Sequence, residues 1–525
     1  MTSFLSAPYV SRRSFLAGSL SALVLPGLVN RPAWSETARP DLPIPKQLAP
    51  DANGKIALRA MTGEGTFVEG LKTPTYGING PYLGPAIRVR RGETVTMEVQ
   101  NTLEEPITMH WHGLKVPGDV DGGPAEQILP GKTWSPQLTI DQPAATCWFH
   151  PHYYPTTAEL VLKGLAGLFL IDDEDADSLQ LPSQWGVDDI PIILQDRRFN
   201  ADGSFFHRFN LAAVTVGYVG DAMLVNGAPY PRAQTARGWL RLRILNGSNA
   251  RSYRLALTEN RSFFVIAGDG GLLEAPVELS ELMVHAGERF EILVDARNGE
   301  NFDLLTRPVD QMAMNLPPFD QELALMTFEP DGKDGAGILP EGLVKLPPIA
   351  ELPTEPTQKL EFGMNLDDEG MGLFMKAGLP KLMASGKANP EIADAVTRAI
   401  VDGPELSKET QLSANAINGK SFDISRVDFD VSINQDQHWV FSEGTDRMLH
   451  PVHIHGCQYR VLTVNGAAPP PELSGWKDTM PISKGGTVEI QVRFDYPATP
   501  DKPYMTHCHI LEHEDSGMMA GFTVS

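Results

Sequence analysis

Ten of the 13 histidines lie in four short segments of the 525-residue chain. The segments are His110-Trp-His112, His150-Pro-His152, His450-Pro-Val-His453-Ile-His455 and His507-Cys508-His509-Ile-Leu-Glu-His513. A chain with this histidine content is expected to show a His-x-His pattern about 0.3 times by chance, whereas the pattern occurs four times. Alternate residues of a strand face the same way, so each pair should place two imidazoles at one point. Together, the four pairs predict a metal site.

The identity of the metal depends on a cysteine. Imidazole suits zinc, copper, iron or nickel, so the histidines alone do not choose among them. Cys508 lies inside the last segment, and its side chain should point to the opposite face of the strand, where His513 and Met518 follow. A thiolate, two imidazoles and a distant thioether form a blue-copper electron-transfer centre, for which His450 supplies the second imidazole. A zinc hydrolase needs fewer ligands and would leave Cys508 and Met518 unexplained.

Short strands are the elements that must position these histidines. Residues 94–101, 239–246 and 487–494 alternate apolar and polar side chains, and 48 glycines and 43 prolines are scattered along the chain without a period. Such alternation between turn residues predicts an all-β fold. A short, partly helical insertion is expected at about 364–410, where apolar spacing favours amphipathic helices over 371–401, broken at Pro380 and near Pro390.

Internal repeats divide the chain into three β-sandwich domains. A hydrophobic-Asn-Gly turn recurs at Asn79, Asn226 and Asn418, and a glycine followed by a strand-like run recurs after Gly131, Gly287 and Gly486. Their common order indicates duplicated units. We predict domains at 36–175, 176–339 and 340–525, the last beginning with a proline-rich linker over 340–356.

Charge and the N-terminus restrict the partners and the compartment. With 66 acidic and 43 basic side chains, the net charge is −23, which disfavours nucleic acids and anionic membranes as partners. Residues 1–35 are typical of a twin-arginine signal peptide, with Arg12 and Arg13 ahead of an apolar stretch. We therefore expect export by the twin-arginine translocon and a soluble, monomeric periplasmic protein.

The four histidine motifs, in this order, resemble those of the multicopper oxidases over the whole mature chain. The resemblance implies three cupredoxin-like domains and four copper ions. It assigns one type-1 copper to His450, Cys508, His513 and axial Met518, one type-2 copper to His110 and His453, and a type-3 pair to His112, His150, His152, His455, His507 and His509. Related cell-division proteins keep this fold without the coppers, but here no ligand position departs from the pattern.

The resemblance also implies an activity, namely one-electron oxidation of a substrate at the type-1 copper coupled to four-electron reduction of O2 to water at the other three. Asp121 and Glu514 match positions that pass protons in the family. Considered without the family, each is a solvated surface acid. Cys147 and Cys457 lie beside ligand motifs, and we favour two buried thiols over a disulfide between them.

In its local sequence the chain resembles the periplasmic copper-efflux (CueO-type) cuprous oxidases, in stretches such as HWHGLKVPGDVDGGP and HCHILEHEDSGMM. That resemblance implies a Cu(I) substrate and a role in copper tolerance, with a substrate site formed by Met364, Asp367 or Asp368, Asp446 and Met448. The insertion is poor in methionine and lacks histidine, unlike in those enzymes. Two alternatives stay open: a laccase-like oxidase of phenols and aromatic amines, and a copper-binding envelope protein. For Met448 and Asp446 the competing interpretation is core packing and a turn cap.

Overall fold

Six β-sheets, two in each of three consecutive segments, make up the framework of the protein. The computed structural model describes residues 39–310, 321–379, 396, 399–444, 448–482 and 485–525, so the predicted signal peptide and Asp446 lie outside the described residues. The all-β prediction is confirmed. Three separate clusters of buried apolar side chains, one for each pair of sheets, form the cores.

Domain 1 contains the first nine strands. One sheet has the order β1-β4-β9-β8, and the other has β3-β2-β5-β6 with β7 also paired to β5. The strands are β1 (Gln47–Leu48), β2 (Lys55–Gly65), β3 (Thr73–Ile78), β4 (Ala86–Arg90), β5 (Thr94–Asn101), β6 (Thr133–Trp134), β7 (Gln137–Thr139), β8 (Ala145–Phe149) and β9 (Gly167–Asp172). The predicted strand 94–101 coincides with β5, whose valines and methionine alternate into the core.

Domain 2 contains the next twelve strands, in sheets β12-β11-β10-β14-β19-β16-β17 and β13-β21-β20-β15-β18. The strands are β10 (Asp189–Arg197), β11 (Ala222–Val225), β12 (Ala228–Pro229), β13 (Arg232–Arg237), β14 (Trp239–Asn246), β15 (Tyr253–Leu257), β16 (Phe263–Gly268), β17 (Gly271–Leu279), β18 (Glu281–Val284), β19 (Arg289–Asp295), β20 (Phe302–Arg307) and β21 (Leu323–Asp334). The predicted strand 239–246 coincides with β14.

Domain 3 follows a connection over 340–356 that forms neither helix nor strand. Its sheets have the orders β23-β22-β25-β30-β27-β28 and β24-β32-β31-β26-β29. The strands are β22 (Gln358–Met364), β23 (Asn415–Ile417), β24 (Phe429–Val431), β25 (Gln437–Glu443), β26 (His450–Ile454), β27 (Tyr459–Val464), β28 (Trp476–Lys477), β29 (Thr479–Ile482), β30 (Thr487–Val492), β31 (Tyr504–Cys508) and β32 (Met519–Val524). The predicted strand 487–494 ends two residues early, at Val492.

The Asn-Gly repeat has one structural role in all three domains. Asn79, Asn226 and Asn418 each have positive φ, and each side-chain oxygen accepts a backbone N–H from a neighbouring strand, at 2.7–2.8 Å. Each amide group donates to a backbone carbonyl two residues earlier in that strand, in β2, β10 and β22 respectively. Asparagine tolerates the left-handed conformation and supplies both groups, so the repeat indicates equivalent positions in duplicated domains.

The helices are short. Those with both ends among the described residues are α1 (Thr157–Leu162), α2 (Glu174–Ser178), α3 (Leu211–Val216), α4 (Asp368–Ala377), α5 (Lys408–Ser413) and α6 (Leu511–Asp515), with 3-10 turns at Thr258–Asn260 and Pro471–Leu473. No helix among the described residues is long and apolar enough to cross a membrane. The predicted helical segment 371–401 includes most of α4, but α5 and the helices outside the insertion were missed. Pro380 and Pro390, the predicted helix breaks, lie outside the described residues.

The insertion packs against domain 2. Leu379, Val396 and Ile400 are buried in a cluster with Leu211 and Val214 of α3. Met371 and Met375 on α4 are instead 46% and 61% exposed. One face of the predicted amphipathic segment is therefore used for packing, and the methionines lie on the other.

Candidate metal centre

The histidine motifs meet between domains 1 and 3. His110 and His150 form an isolated antiparallel bridge in domain 1, and β26 and β31 of domain 3 pair so that His453 lies opposite His507. All eight members of the His-x-His pairs are buried. Strand pairing thus brings four distant segments of the chain to one place.

The potential ligand atoms fall into groups whose members all lie within 4.8 Å of one another. One group is His112, His150 and His509, and a second is His152, His455 and His507. His110 and His453 join His112 in a third group. Two pairs of rings stack in parallel across the domain boundary, His110 on His455 at 3.8 Å and His112 on His453 at 3.7 Å.

The expectation that each His-x-His pair points at one place needs correction. His110 and His112 share the third group, but His150 and His152 belong to different groups, as do His453 and His455, and His507 and His509. Ring centroids within the four pairs are 5.1–6.1 Å apart, because alternate side chains on one face lie side by side rather than converging. Each pair therefore contributes to two adjacent groups, which ties the groups into one cluster.

The cluster has the chemistry of a site for metal ions. Buried ring nitrogens of the cluster without a hydrogen-bond partner among the described residues are Nε2 of His110, His150 and His453, Nδ1 of His112 and His152, and both nitrogens of His509. The Nε2 atom of His507 lies 3.2 Å from Nε2 of His152 and 3.2 Å from Nε2 of His455. Since burial lowers the pKa of these three histidines well below the ordinary value, their neutral rings place lone pairs toward one another. Metal ions would satisfy these atoms.

The opposite ring nitrogens of four of these histidines are held by Asp121 and Asp478, outside the cluster. Asp121 accepts from Nδ1 of His455 at 2.7 Å, and its backbone carbonyl accepts from Nδ1 of His110 at 3.0 Å. The Asp478 carboxylate lies 3.1 Å from Nε2 of His112, and its carbonyl accepts from Nδ1 of His453 at 2.9 Å. Such outer contacts fix the tautomer and direction of a metal-binding imidazole.

Glu514 contacts the cluster from the other side. Its carboxyl oxygens lie 3.4 Å from Nδ1 of His152 and 3.2 Å from Nδ1 of His507, and the side chain is fully buried. Burial, reinforced by the neighbouring Asp515, raises the pKa of Glu514 well above its ordinary value. Asp121 is buried as well. The interpretation of Asp121 and Glu514 as solvated surface acids is therefore wrong.

A fourth group surrounds Cys508. Its Sγ lies 3.6 Å from Nδ1 of His450 and 3.7 Å from Nδ1 of His513, distances at which one metal ion can bind all three atoms. β31 ends at Cys508, and α6 carries His513 back toward the sulfur. Met518 is buried beside them, with its carbonyl accepting from the backbone N–H of Cys508 at 3.1 Å.

Asp478 is the residue that the sequence did not single out. It lies in the stretch GWKDT, which is part of the resemblance, but nothing local shows that its partners are His112 and Arg289. The remaining thiols agree with the favoured interpretation, since Cys147 and Cys457 are both buried and free. Burial raises the pKa of Cys147 to about 12, so this thiol is unreactive.

Of the candidate Cu(I) residues, Met364 and Asp367 lie between the end of β22 and the start of α4. Met364 is the last residue of β22, and the carbonyl of Phe362 in the same strand accepts from the backbone N–H of Gly444 at 2.8 Å. Met448 is buried. Asp367 caps α4, accepting from the backbone N–H of Gly370 and from the Thr410 hydroxyl. Its two oxygens are therefore already engaged. Asp446 lies outside the described residues.

Three multicopper oxidase family models match residues 60–176, 198–332 and 398–525, in the order of the three domains. The chain belongs to the multicopper oxidase family. Among solved structures, a bacterial laccase-like multicopper oxidase, CueO of Ochrobactrum sp., is 38% identical with a TM-score of 0.78, covering 92% of this chain and 100% of that one. A multicopper oxidase of Campylobacter jejuni, described as a metallo-oxidase, is 28% identical with a TM-score of 0.76, covering 93% and 96%.

Other proteins similar to this chain are named for cell division. The cell division protein FtsP of Yersinia pestis is 35% identical, covering 97% of each chain. The protein of that name from Escherichia coli K12 is 33% identical, covering 98% of this chain and 99% of the relative. Because oxidases and division proteins match over nearly the same length at similar identity, overall similarity does not choose between the two activities. The choice between the two activities must therefore rest on the side chains in the site.

Proposed function

We propose that the protein is a four-copper oxidase that couples one-electron oxidation of a substrate to reduction of O2 to water. The complete and buried donor set supports this most strongly. His450, Cys508 and His513, with Met518 beside them, would hold a type-1 copper. His110 and His453 would hold a type-2 copper, and the groups of His112 and His152 would each hold one ion of a type-3 pair. Copper would supply the one-electron redox chemistry and the site of O2 reduction.

The chain provides a short path between the two sites. His507 and His509 flank Cys508, so covalent bonds alone connect the thiolate with both type-3 groups. In addition, the Nδ1 of His507 donates to the Cys508 carbonyl at 3.0 Å, which fixes that imidazole on the backbone of the same strand. We therefore assign electron transfer to the segment 507–509.

Two carboxyl groups supply protons in this proposal. Its raised pKa favours the protonated form of Glu514, so this carboxyl group can deliver a proton beside the rings of His152 and His507. Asp121 lies on the opposite side of the cluster, against His455 and His110. Their burial keeps bulk water away from both carboxyl groups.

For the substrate we favour Cu(I), at Met364 and Met448 with Asp446. Thioether sulfur selects Cu(I), and a carboxylate adds charge attraction. Asp367 fits less well because it caps α4. A phenol or aromatic amine is the second candidate substrate, supported by the similarity to the laccase-like Ochrobactrum enzyme. We place the protein in the periplasm, exported by the twin-arginine pathway, with a role in copper tolerance.

Oxygen uptake by the purified, copper-loaded protein tests the proposal. With Cu(I) as donor we expect rapid uptake, with a phenol slower uptake, and with the Cys508→Ser variant none with either donor. Uptake with phenols alone would make the enzyme laccase-like. Copper binding with no uptake from either donor would leave a copper-binding envelope protein.

A role in cell division is a second candidate function, because of the FtsP relatives. It is distinguished by complementing a deletion strain with the wild type and with Cys508→Ser. Equal rescue of cell length by both would assign the division phenotype to the fold rather than to copper. Rescue of copper tolerance by the wild type alone is the result expected from the oxidase proposal.

A further inference from the structure

Domain 2 provides no metal-binding residue among the groups described above, yet one of its side chains lies next to the cluster. Arg289, the first residue of β19, is completely buried. It reaches the place where all three domains meet, because its Nε donates to the Thr146 carbonyl of domain 1 at 3.1 Å and its Nη atoms bind Asp478 of domain 3.

The guanidinium group is fully used. Nη1 donates to Asp478 Oδ1 at 2.7 Å and to the Gly287 carbonyl at 3.0 Å, while Nη2 donates to Asp478 Oδ2 at 2.5 Å and to the Asp269 carbonyl at 3.1 Å. With the bond to Thr146, all five N–H groups of the arginine have acceptors. A paired carboxylate held in this two-pronged way cannot rotate without breaking several bonds at once.

Asp478 in turn touches the imidazoles. Its Oδ1, held by Arg289, lies 3.1 Å from Nε2 of His112, and its backbone carbonyl accepts from Nδ1 of His453. These contacts leave Nδ1 of His112 and Nε2 of His453 facing the cluster. Burial alone would raise the pKa of Asp478, but the charge of Arg289 outweighs it and holds that pKa well below the ordinary value, so the carboxylate stays an acceptor.

The neighbouring backbone is shaped for this contact. Gly113, directly after His112, has φ +91, and a Cβ there would lie 2.5 Å from Arg289 Nη2 and 2.9 Å from Asp478 Oδ2. Gly287 has φ +85, and a Cβ there would lie 2.7 Å from the His509 ring. Both positions need glycine for the conformation and for the space. The Arg289–Asp478 pair therefore fits closely against the chain that carries two candidate ligands.

We propose that Arg289 is a positioning residue for the metal centre: it fixes Asp478 against His112 and His453 and so sets the direction of their metal-binding nitrogens. The proposal rests on the proposed copper function. Domain 2 then stabilises a metal site whose ligands all come from domains 1 and 3. Removing such an outer contact typically weakens metal binding about 10- to 100-fold.

Copper titration against a competing chelator tests this assignment. Arg289→Gln and Asp478→Asn should each weaken binding of the type-2 copper and the type-3 pair, together the trinuclear coppers, by about 10- to 100-fold. Both variants should also reduce the type-2 electron paramagnetic resonance signal. The blue absorbance of the type-1 copper, which reports folded protein, should be kept in both. Arg289→Lys, which retains the charge but not the two-pronged geometry, should fall between Arg289→Gln and the wild type.

Arg243 offers a matched control. It is a buried arginine of domain 2 that binds Asp189 through two bonds, at 2.7 and 3.1 Å, and also reaches Thr146 of domain 1, at its hydroxyl. Arg243→Gln should leave the ratio of trinuclear copper to blue absorbance unchanged.

An equal loss in the Arg243→Gln control would overturn the proposal, as would a wild-type ratio in both Arg289→Gln and Asp478→Asn. If Arg289→Gln does not fold, copper binding by Asp478→Asn tests the proposal instead, because asparagine has nearly the same shape as aspartate. A wild-type chain without trinuclear copper would instead refute the proposed function, which separates the two failures.

Discussion

Two regions of domain 3 differ in how firmly their polar and sulfur side chains are held. Between His450 and His513, every candidate ligand is buried, and the outer ring nitrogens of several rest on backbone or carboxylate oxygens. In the insertion, Met371 and Met375 are exposed, and Asp367 is used as a helix cap. The candidate metal ligands are therefore held in the core, whereas the methionines of the insertion lie at the surface.

Replacing Cys508 should have the largest effect of the substitutions considered, because it removes a proposed copper ligand from the core. In Cys508→Ser the blue absorbance and the substrate-driven oxygen uptake should both fall to background, because the proposed type-1 copper would lose its thiolate ligand. The trinuclear coppers should still bind, since none of their ligands changes. Cys457→Ser, at a buried thiol outside the groups, is the control and should keep both signals. Blue Cys508→Ser protein would refute the assignment.

The copper-free protein should be sensitive to acid. Burial, with nearby histidines, lowers the pKa of His112, His150 and His509 well below the value of about 6.5 that holds in the unfolded chain. As the pH falls below about 6.5, the unfolded chain binds protons that the folded chain does not, so stability falls, by up to about 1.4 kcal/mol per pH unit for each histidine. Urea unfolding of chelated protein between pH 7.5 and 5.5 measures this loss.

The same titration separates the two regions, because residues 364–410 contain no histidine. His509→Gln should make the fall with pH shallower, while His438→Gln, at a partly exposed histidine bonded to Glu489, is the control. A pH profile unchanged by His509→Gln would show that the buried imidazoles do not set the acid sensitivity.

Glu514→Gln should slow the oxygen half-reaction about 100-fold and leave substrate reduction of the type-1 copper nearly unchanged. The amide of glutamine keeps the shape of the side chain but has no acidic proton to transfer. Stopped-flow measurement of each half-reaction tests this. Glu512→Gln is a control on the same helix, because Glu512 binds the backbone N–H of Tyr218 at 2.9 Å instead of the cluster. Equal slowing of both half-reactions would remove Glu514 from proton delivery.

Met448→Leu gives the smallest effect and probes the substrate region. The change nearly preserves volume and should cost less than about 1.5 kcal/mol of stability. We expect kcat/KM for Cu(I) to fall several-fold while that for a phenol is unchanged. Met326→Leu, in the core of domain 2, controls for loss of a buried methionine. If Cu(I) oxidation is unaffected by Met448→Leu, the Cu(I) site is wrongly assigned, and laccase-like chemistry becomes the better proposal.

The sequence predicts some parts of the structure better than others, because some features depend on local patterns and others on contacts between distant residues. The alternation of β5 and β14 and the spacing of the histidines are local patterns, and they predicted the all-β fold and the segments that meet. The helix α6 was missed because five residues are too few to show a helical period. The contact of Arg289 with Asp478 joins residues 189 positions apart, and no local pattern encodes it.

Metal analysis of the purified wild-type chain, combined with its visible spectrum, tests the central claim most directly. After loading with copper and removal of the excess, the proposed ligand sets predict four coppers per chain and a blue protein. A chain that holds a single zinc ion and no copper, or that stays colourless with copper bound, would contradict the account.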